Sequence, residues 1–272
     1  VGLIVLTATG FITQRVLSTI TKQIQITKTV KSTVTPIPAF IVLPTPTPTS
    51  VLTPAPTATP LPPTATPVPP IINYQSGFHS QSGLQLNGNS VYVGDKLRLT
   101  TSANWLAGSA FFTTPVPITT FSTSFRFQFT TATADGITFT IQNAGATALG
   151  SMGSGLGYGG IPTSVAIKFD LWSSGNTANT TGIFTNGTYP DQPETLIQGL
   201  DFHSEHVFRV GITYNGKTLN VQETDEFTGA SLQQSYAGDI PTIVGGPTAY
   251  VGFTGATGAY AIQEILNWSF QN

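Results

Sequence analysis

The chain has 272 residues, of which only 8% are charged and 10% aromatic, with 28 glycines, 20 prolines and no cysteine. That composition suits short strands and turns rather than helices, which draw on Glu, Lys, Arg and Ala, and it excludes disulfides and thiolate zinc sites. The formal net charge of −2 hides an asymmetry: residues 1–72 carry four basic residues (Arg15, Lys22, Lys28, Lys31) and no acidic ones, leaving −6 on the remainder. A mildly acidic globular part is a poor partner for nucleic acid, which needs a basic face.

Residues 1–34 read as an N-terminal segment. Val1 to Thr13 is apolar but shorter than the ~20 residues that cross a bilayer. Two readings stay open: the end of a signal or membrane segment, or a β-like arm. In the second, Gln23-Ile24-Gln25-Ile26-Thr27 would add as a strand to a neighbouring copy, giving self-association.

Residues 35–72 form a Pro/Thr-rich linker that holds 13 of the 20 prolines. Proline fixes φ and lacks an N–H donor, so this tract can neither pair as a central strand nor continue a helix. An extended spacer of ~3 Å per residue is expected, on the order of 100 Å at full reach. Such a stalk would hold a module away from a membrane or cell envelope, and its dense Thr invites O-glycosylation.

From residue 73 to 272 the pattern becomes strand, turn, strand. Leu84-Gln85-Leu86 and Val91-Tyr92-Val93 flank Asn87-Gly88, a hairpin signal. Phe121 to Phe129 alternates from Ser124 on, and Val207 to Tyr214 runs through Asn215-Gly216 into Thr218 to Gln222. Tyr250 to Phe253 and Ile265 to Phe270 close the chain, and no window has convincing helical periodicity. The prediction is one all-β domain, an antiparallel β-sandwich of jelly-roll type. Its core should be built from Phe125, Phe127, Phe139, Phe169, Phe253 and Trp268.

Two segments carry the functional signal. In Ala134-Asp135-Gly136-Ile137-Thr138-Phe139 a strand begins beside an Asp, and in Ser164 to Trp172 a strand ends at Asp170 before a Ser/Gly/Asn/Thr loop. A carboxylate at a sandwich rim can grip adjacent hydroxyls, which both donate and accept hydrogen bonds. The plainer reading of Asp135 is a turn former beside Gly136.

Together with Gly153 to Gly160, Ala249 to Gly258 and Ile265 to Phe270, these segments resemble the L-type (legume-type) lectins and their bacterial extracellular members. The resemblance covers roughly Ser76 to Asn272 and implies a concanavalin-like jelly roll that binds glycans without catalysis. It assigns sugar hydroxyls to Asp135 and backbone N–H donors to Gly153 or Gly155. The loop after Asp170 would contribute Trp172 and Asn176, and the last loop Thr257, Gly258 and Tyr260, with Trp172 and Tyr260 as candidate aromatic faces.

The metal loop of the family is degraded. Legume lectins place a Glu two residues before the strand-end Asp, an Asn four after it, then a second Asp and a His. Here the Glu, Asn and His positions hold Lys168, Ser174 and Thr180, and no acidic residue lies between Asp170 and Asp191 to serve as the second Asp. Calcium takes ~6–8 oxygen ligands and usually more than one carboxylate. Asp170, Trp172 (through its carbonyl), Asn176 and Asn179 would therefore make a weak calcium site at best, and no manganese site. Lys168 and Asp170 share a strand face about 7 Å apart, so the ammonium either replaces the metal charge or is solvated on an open face.

Other chemistry is weaker. Glu223 and Asp225 share a face, as a glycosidase pair would, but lead into a Phe227-Thr228-Gly229 turn. Asp201, His203 and Glu205 would cluster only if extended, and strand-capping explains them as well. The leading expectation is an extracellular or cell-surface glycan-binding module on a stalk. The competing one is a structural or adhesive surface subunit that kept the sandwich and lost the sugar site.

Overall fold

The computed structural model describes residues 72–79, 83–172, 179–191 and 194–272. Expectations for residues 1–71, Ser174 and Asn176 lie outside that set. In chain order the first strands are β1 (Ile72–Tyr74), β2 (Leu84–Gly88), β3 (Val91–Val93), β4 (Lys96–Thr100), β5 (Leu106–Phe112), β6 (Val116–Pro117), β7 (Phe121–Thr130) and β8 (Gly136–Gln142). They continue with β9 (Ser164–Asp170), β10 (Thr180–Thr185), β11 (Thr195–Leu196), β12 (Val207–Tyr214), β13 (Thr218–Asp225), β14 (Ser231–Ala237), β15 (Thr248–Thr257) and β16 (Ile262–Gln271).

These strands form two stacked sheets. One runs β14-β13-β12-β7-β16-β4-β3 with β1 beside β16; the other runs β11-β10-β9-β8-β15-β5-β2 with β6 beside β15. All pairings are antiparallel. The predicted sandwich is therefore the observed architecture.

Period-two alternation explains why. In β7 the residues Phe121, Thr123, Phe125, Phe127 and Phe129 turn inward while Ser122 and Ser124 face solvent. Phe125 stacks on Phe139 at 5.9 Å and meets Phe169 and Phe253 edge-on at 5.7 and 4.9 Å, and Phe253 meets Trp268 at 5.1 Å. All six predicted core aromatics are fully buried.

The outer faces differ. On the first sheet Arg209 and Thr213 of β12 stay exposed, the usual one-sided burial of an antiparallel sheet. On the second, β8 and β9 are buried on both faces, because the segment between them folds back as a cover. Ser109 Oγ donates to the Ala148 carbonyl at 2.6 Å, Thr254 Oγ1 to Leu156 at 2.7 Å and Asn87 Nδ2 to Ala146 at 2.9 Å. Outward Ser, Thr and Asn thus bond the carbonyls of the loop that covers them.

One predicted hairpin forms and one does not. Asn215-Gly216 joins β12 to β13, with Asn215 Oδ1 accepting the Lys217 and Thr218 N–H groups at 3.0 and 2.8 Å. Asn87-Gly88 instead carries the chain between sheets: β2 pairs with β5 and β3 with β4. Its Asn side chain is committed to Ser109 and Ala146, so the local turn signal yields to the sandwich crossing.

Candidate functional site

Gly136 opens β8 directly opposite Asp170, the last residue of β9. A Cβ at residue 136 would stand 2.3 Å from the Phe169 carbonyl oxygen, so the close approach requires glycine. It sets the Asp135 turn against the end of β9, where the Asp135 carbonyl accepts the Leu171 N–H at 2.8 Å. On the other side, the Asp135 N–H donates to Ala256 at 3.3 Å, and Asp135 Oδ2 accepts the Gly258 N–H. The Ala134–Asp135 peptide is cis.

Asp135 is only 6% exposed, and two glycines, Gly153 and Gly258, border its carboxylate. The point where a Gly153 Cβ would stand lies 3.9 Å from Asp135 Oδ2, 3.8 Å from Gly258 Cα and 3.4 Å from the Trp105 ring. Four segments therefore converge on one spot at the end of the second sheet. Burial pushes the Asp135 carboxyl up to about 6, the Gly258 N–H opposes this, and the Asp191 charge adds to it.

Trp105 was not legible as a site residue. It is 65% exposed and stands on the loop between β4 and β5 with φ +56°. Its signal in the sequence was a lone Trp among small polar residues at Ser102 to Trp105. Thr257, expected to touch ligand, is buried instead and holds that loop. Its hydroxyl donates to the Ala103 carbonyl at 2.8 Å and accepts the Leu106 N–H at 3.1 Å. The strand β15 runs on to Thr257, which leaves Gly258 and Tyr260 for the loop beyond it.

The remaining expected residues divide. Gly155 gives its N–H to the Met152 carbonyl at 3.2 Å inside a short 3₁₀ turn and so does not aim it at the rim. Tyr260 is 45% exposed, and its carbonyl accepts the Thr133 N–H at 3.0 Å. Trp172 is half-buried and donates its backbone N–H to Asp170 Oδ1 at 3.1 Å. Asn179 turns away: its amide reaches the Leu200 carbonyl at 3.0 Å, because Thr180 is the residue that registers with Asp170.

Lys168 is fully buried, not solvated. Val165, Ile167 and Phe169 face the core, so Lys168 and Asp170 point to the outer face, where the segment after β10 roofs them. The Lys168 Nζ donates to Pro190 O at 2.7 Å, Glu194 Oε2 at 2.8 Å and Asp170 Oδ2 at 3.2 Å. Burial raises the Asp170 carboxyl to about 7, while the Lys168 ammonium and the Trp172 N–H pull it down.

The alternative catalytic clusters are closed. Glu223 is buried between the sheets, where burial pushes it up to about 8 against a weak Thr181 contact at 3.5 Å. Asp225 bonds His206 Nδ1 at 2.9 Å and caps the turn through the Phe227 N–H at 2.8 Å. Asp201 accepts the His203 N–H at 3.0 Å at the start of a 3₁₀ turn, so 201–205 is not extended. Three shallow hollows on the outer face of the first sheet, lined by residues such as Ser124, Gly211 and Ser269, do not include Asp135.

The profile of the legume lectin domain matches residues 72–272. The chain belongs to the legume lectin domain family. Among solved structures, a Bauhinia forficata lectin in complex with GalNAc superposes with a TM-score of 0.66 at 25% identity, over 75% of this chain and 97% of that one. Lectin I-B4 from Griffonia simplicifolia, in a metal-free form, gives 0.65 at 20% identity over 74% and 98%. The winged bean acidic lectin with methyl-α-D-galactose gives 0.64 at 21% identity over 74% and 97%.

Legume lectins typically carry calcium and manganese, so the fit of this lectin domain to a divalent ion matters. The expected set of Asp170, Trp172, Asn176 and Asn179 does not assemble among the described residues. One Asp170 oxygen faces an ammonium and the other a backbone N–H, while the Asn179 amide nitrogen is held by the Leu200 carbonyl beside Thr180, the residue in register with Asp170. A doubly charged ion ~4 Å from that ammonium would be repelled by about 8 kcal/mol at an effective dielectric of ~20. The described residues do not fit the ion.

Proposed function

We propose that this lectin domain binds carbohydrate reversibly, without chemistry, through the rim where Asp135, Gly153, Gly258 and Trp105 meet. The observation that carries this reading is the convergence of a carboxylate, two side-chain-free backbones and an exposed indole on one point. A carboxylate and neighbouring amides suit paired hydroxyls, and an indole suits the apolar face of a pyranose ring. Trp172 and Tyr260 stand as further aromatic contacts. That lectins of this fold have been solved with GalNAc and with methyl-α-D-galactose supports a glycan ligand.

In this reading the domain is displayed outside the cell or at its surface on the Pro/Thr spacer, which ends before Ile72 opens β1, tethered through residues 1–34. A glycan array on the full chain tests it: discrete glycans should bind, and Asp135→Ala should abolish the signal in protein that still unfolds cooperatively. An empty array would remove it.

The degraded metal loop favours a second reading, a structural or adhesive subunit with no sugar site. Oligomers that disappear when residues 1–35 are deleted, together with that empty array, would favour it.

A further inference from the structure

We infer that Lys168 is a built-in cation that takes over the metal's task in this domain, organising the rim so that ligand binding needs no divalent ion. The binding half of this inference rests on the carbohydrate reading; the organising half does not.

An ammonium has three N–H bonds, and here each has an acceptor. They are Pro190 O at 2.7 Å, Glu194 Oε2 at 2.8 Å and Asp170 Oδ2 at 3.2 Å. The Phe184 ring closes the remaining side, 5.5 Å from Nζ to its centroid. A buried charge persists only when it is paired and fully hydrogen-bonded, as this one is.

The acceptors come from different stretches of chain. Asp170 ends β9, whereas Pro190 and Glu194 lie in the connection between β10 and β11. One cation therefore ties the strand end to the segment that roofs it, the cross-link a polydentate metal would make. Asp170 in turn holds the Trp172 N–H, and its Cα lies 2.8 Å from where a Gly136 Cβ would stand, so the Asp135 turn leans on the same strand end.

The experiment uses the full chain. Wild-type protein is dialysed against EDTA, assayed for bound metal, and melted with and without millimolar calcium or manganese. The expected result is no stoichiometric metal, a melting shift under about 1 °C, and an unchanged glycan-array signal. Stoichiometric metal, or a chelator-dependent loss of melting temperature or binding, overturns the inference.

In a second arm, Lys168→Gln and Glu194→Gln are followed by amide hydrogen exchange. Protection should fall at least tenfold around residues 132–136 and 186–191 while β12 and β13 stay protected. Unchanged protection at 132–136 in a folded variant overturns it. If Lys168→Gln does not fold, Glu194→Gln and the wild-type metal arm decide. An array that is empty under all conditions removes the carbohydrate reading alone, since metal content, melting and exchange still report on Lys168.

Discussion

Asp135 Oδ2 accepts the backbone N–H of Gly258, which joins the turn before β8 to the loop after β15, 123 residues further along. The bond aims the carboxylate at the gap beside Gly153, and a side chain at 258 would stand 2.9 Å from that same oxygen. A side chain at 258 would therefore press on the carboxylate and displace it.

Removing the Asp135 carboxylate should abolish most binding. Hydrogen bonds to a charged acceptor are worth ~1.5–3 kcal/mol, so Asp135→Asn is expected to weaken the best array glycan by about 30-fold. Titration calorimetry reads this, and an affinity within twofold of wild type would count against the assignment.

Binding should also fall in acid. With the Asp135 carboxyl near 6, protonation below that value removes an acceptor. Affinity at pH 5 is expected to be about tenfold lower than at pH 7. The fold responds with the opposite sign. A raised carboxyl contributes stability fully present below the unfolded value of 3.8 and lost as pH climbs through about 6. A flat binding profile from pH 7 to 5 would contradict the role given to the ionised form.

Trp105 should act on binding and not on folding. Its exposure predicts that Trp105→Ala changes stability by no more than about 0.5 kcal/mol. Loss of an aromatic contact should weaken binding by roughly fivefold, about 1 kcal/mol. Intrinsic fluorescence of the wild type should shift on adding ligand, and Trp105→Ala should lose that shift.

Glu223 predicts a pH-dependent stability unrelated to the rim. Its carboxyl stands at about 8 against an ordinary 4.5, so the fold loses stability as pH rises from about 4.5 to 8, by up to ~1.4 kcal/mol per unit. Glu223→Gln keeps the contacts to Thr181 and Gln234 without the ionisation. It should melt higher than wild type at pH 8 and near it at pH 5. Equal melting at both values would refute a buried neutral acid.

Phe125 is the centre of the core, touching Phe127, Phe139, Phe169 and Phe253. Phe125→Ala should cost ~3–5 kcal/mol, measurable by urea unfolding. Any effect on specificity in folded protein should be minor.

Much of the fold was readable because alternation is a property of neighbours along the chain. The inward Phe residues of β7, the Asn215-Gly216 hairpin and the strand ending at Asp170 all follow from spacing within ten residues. Asn87-Gly88 carried the same local signal and misled, since pairing partners are chosen by the sandwich. At the candidate site, the Asp135 turn and Gly258 could be named from motifs, whereas Thr257 lies on the Val251 and Phe253 side of β15 and spends its hydroxyl on the loop before β5.

What the sequence determined by itself was the β-sandwich, its aromatic core, the Asp135 turn and the absence of the family's acidic metal loop. The tertiary structure decided which segments meet: it brought Trp105 beside Gly153 and folded Pro190 and Glu194 over Lys168. Those contacts join residues 22 to 48 positions apart, and no periodicity encodes them. The Lys168 contacts arise because sealing the outer face of the second sheet leaves a buried charge, and the segment of Pro190 and Glu194 supplies its acceptors.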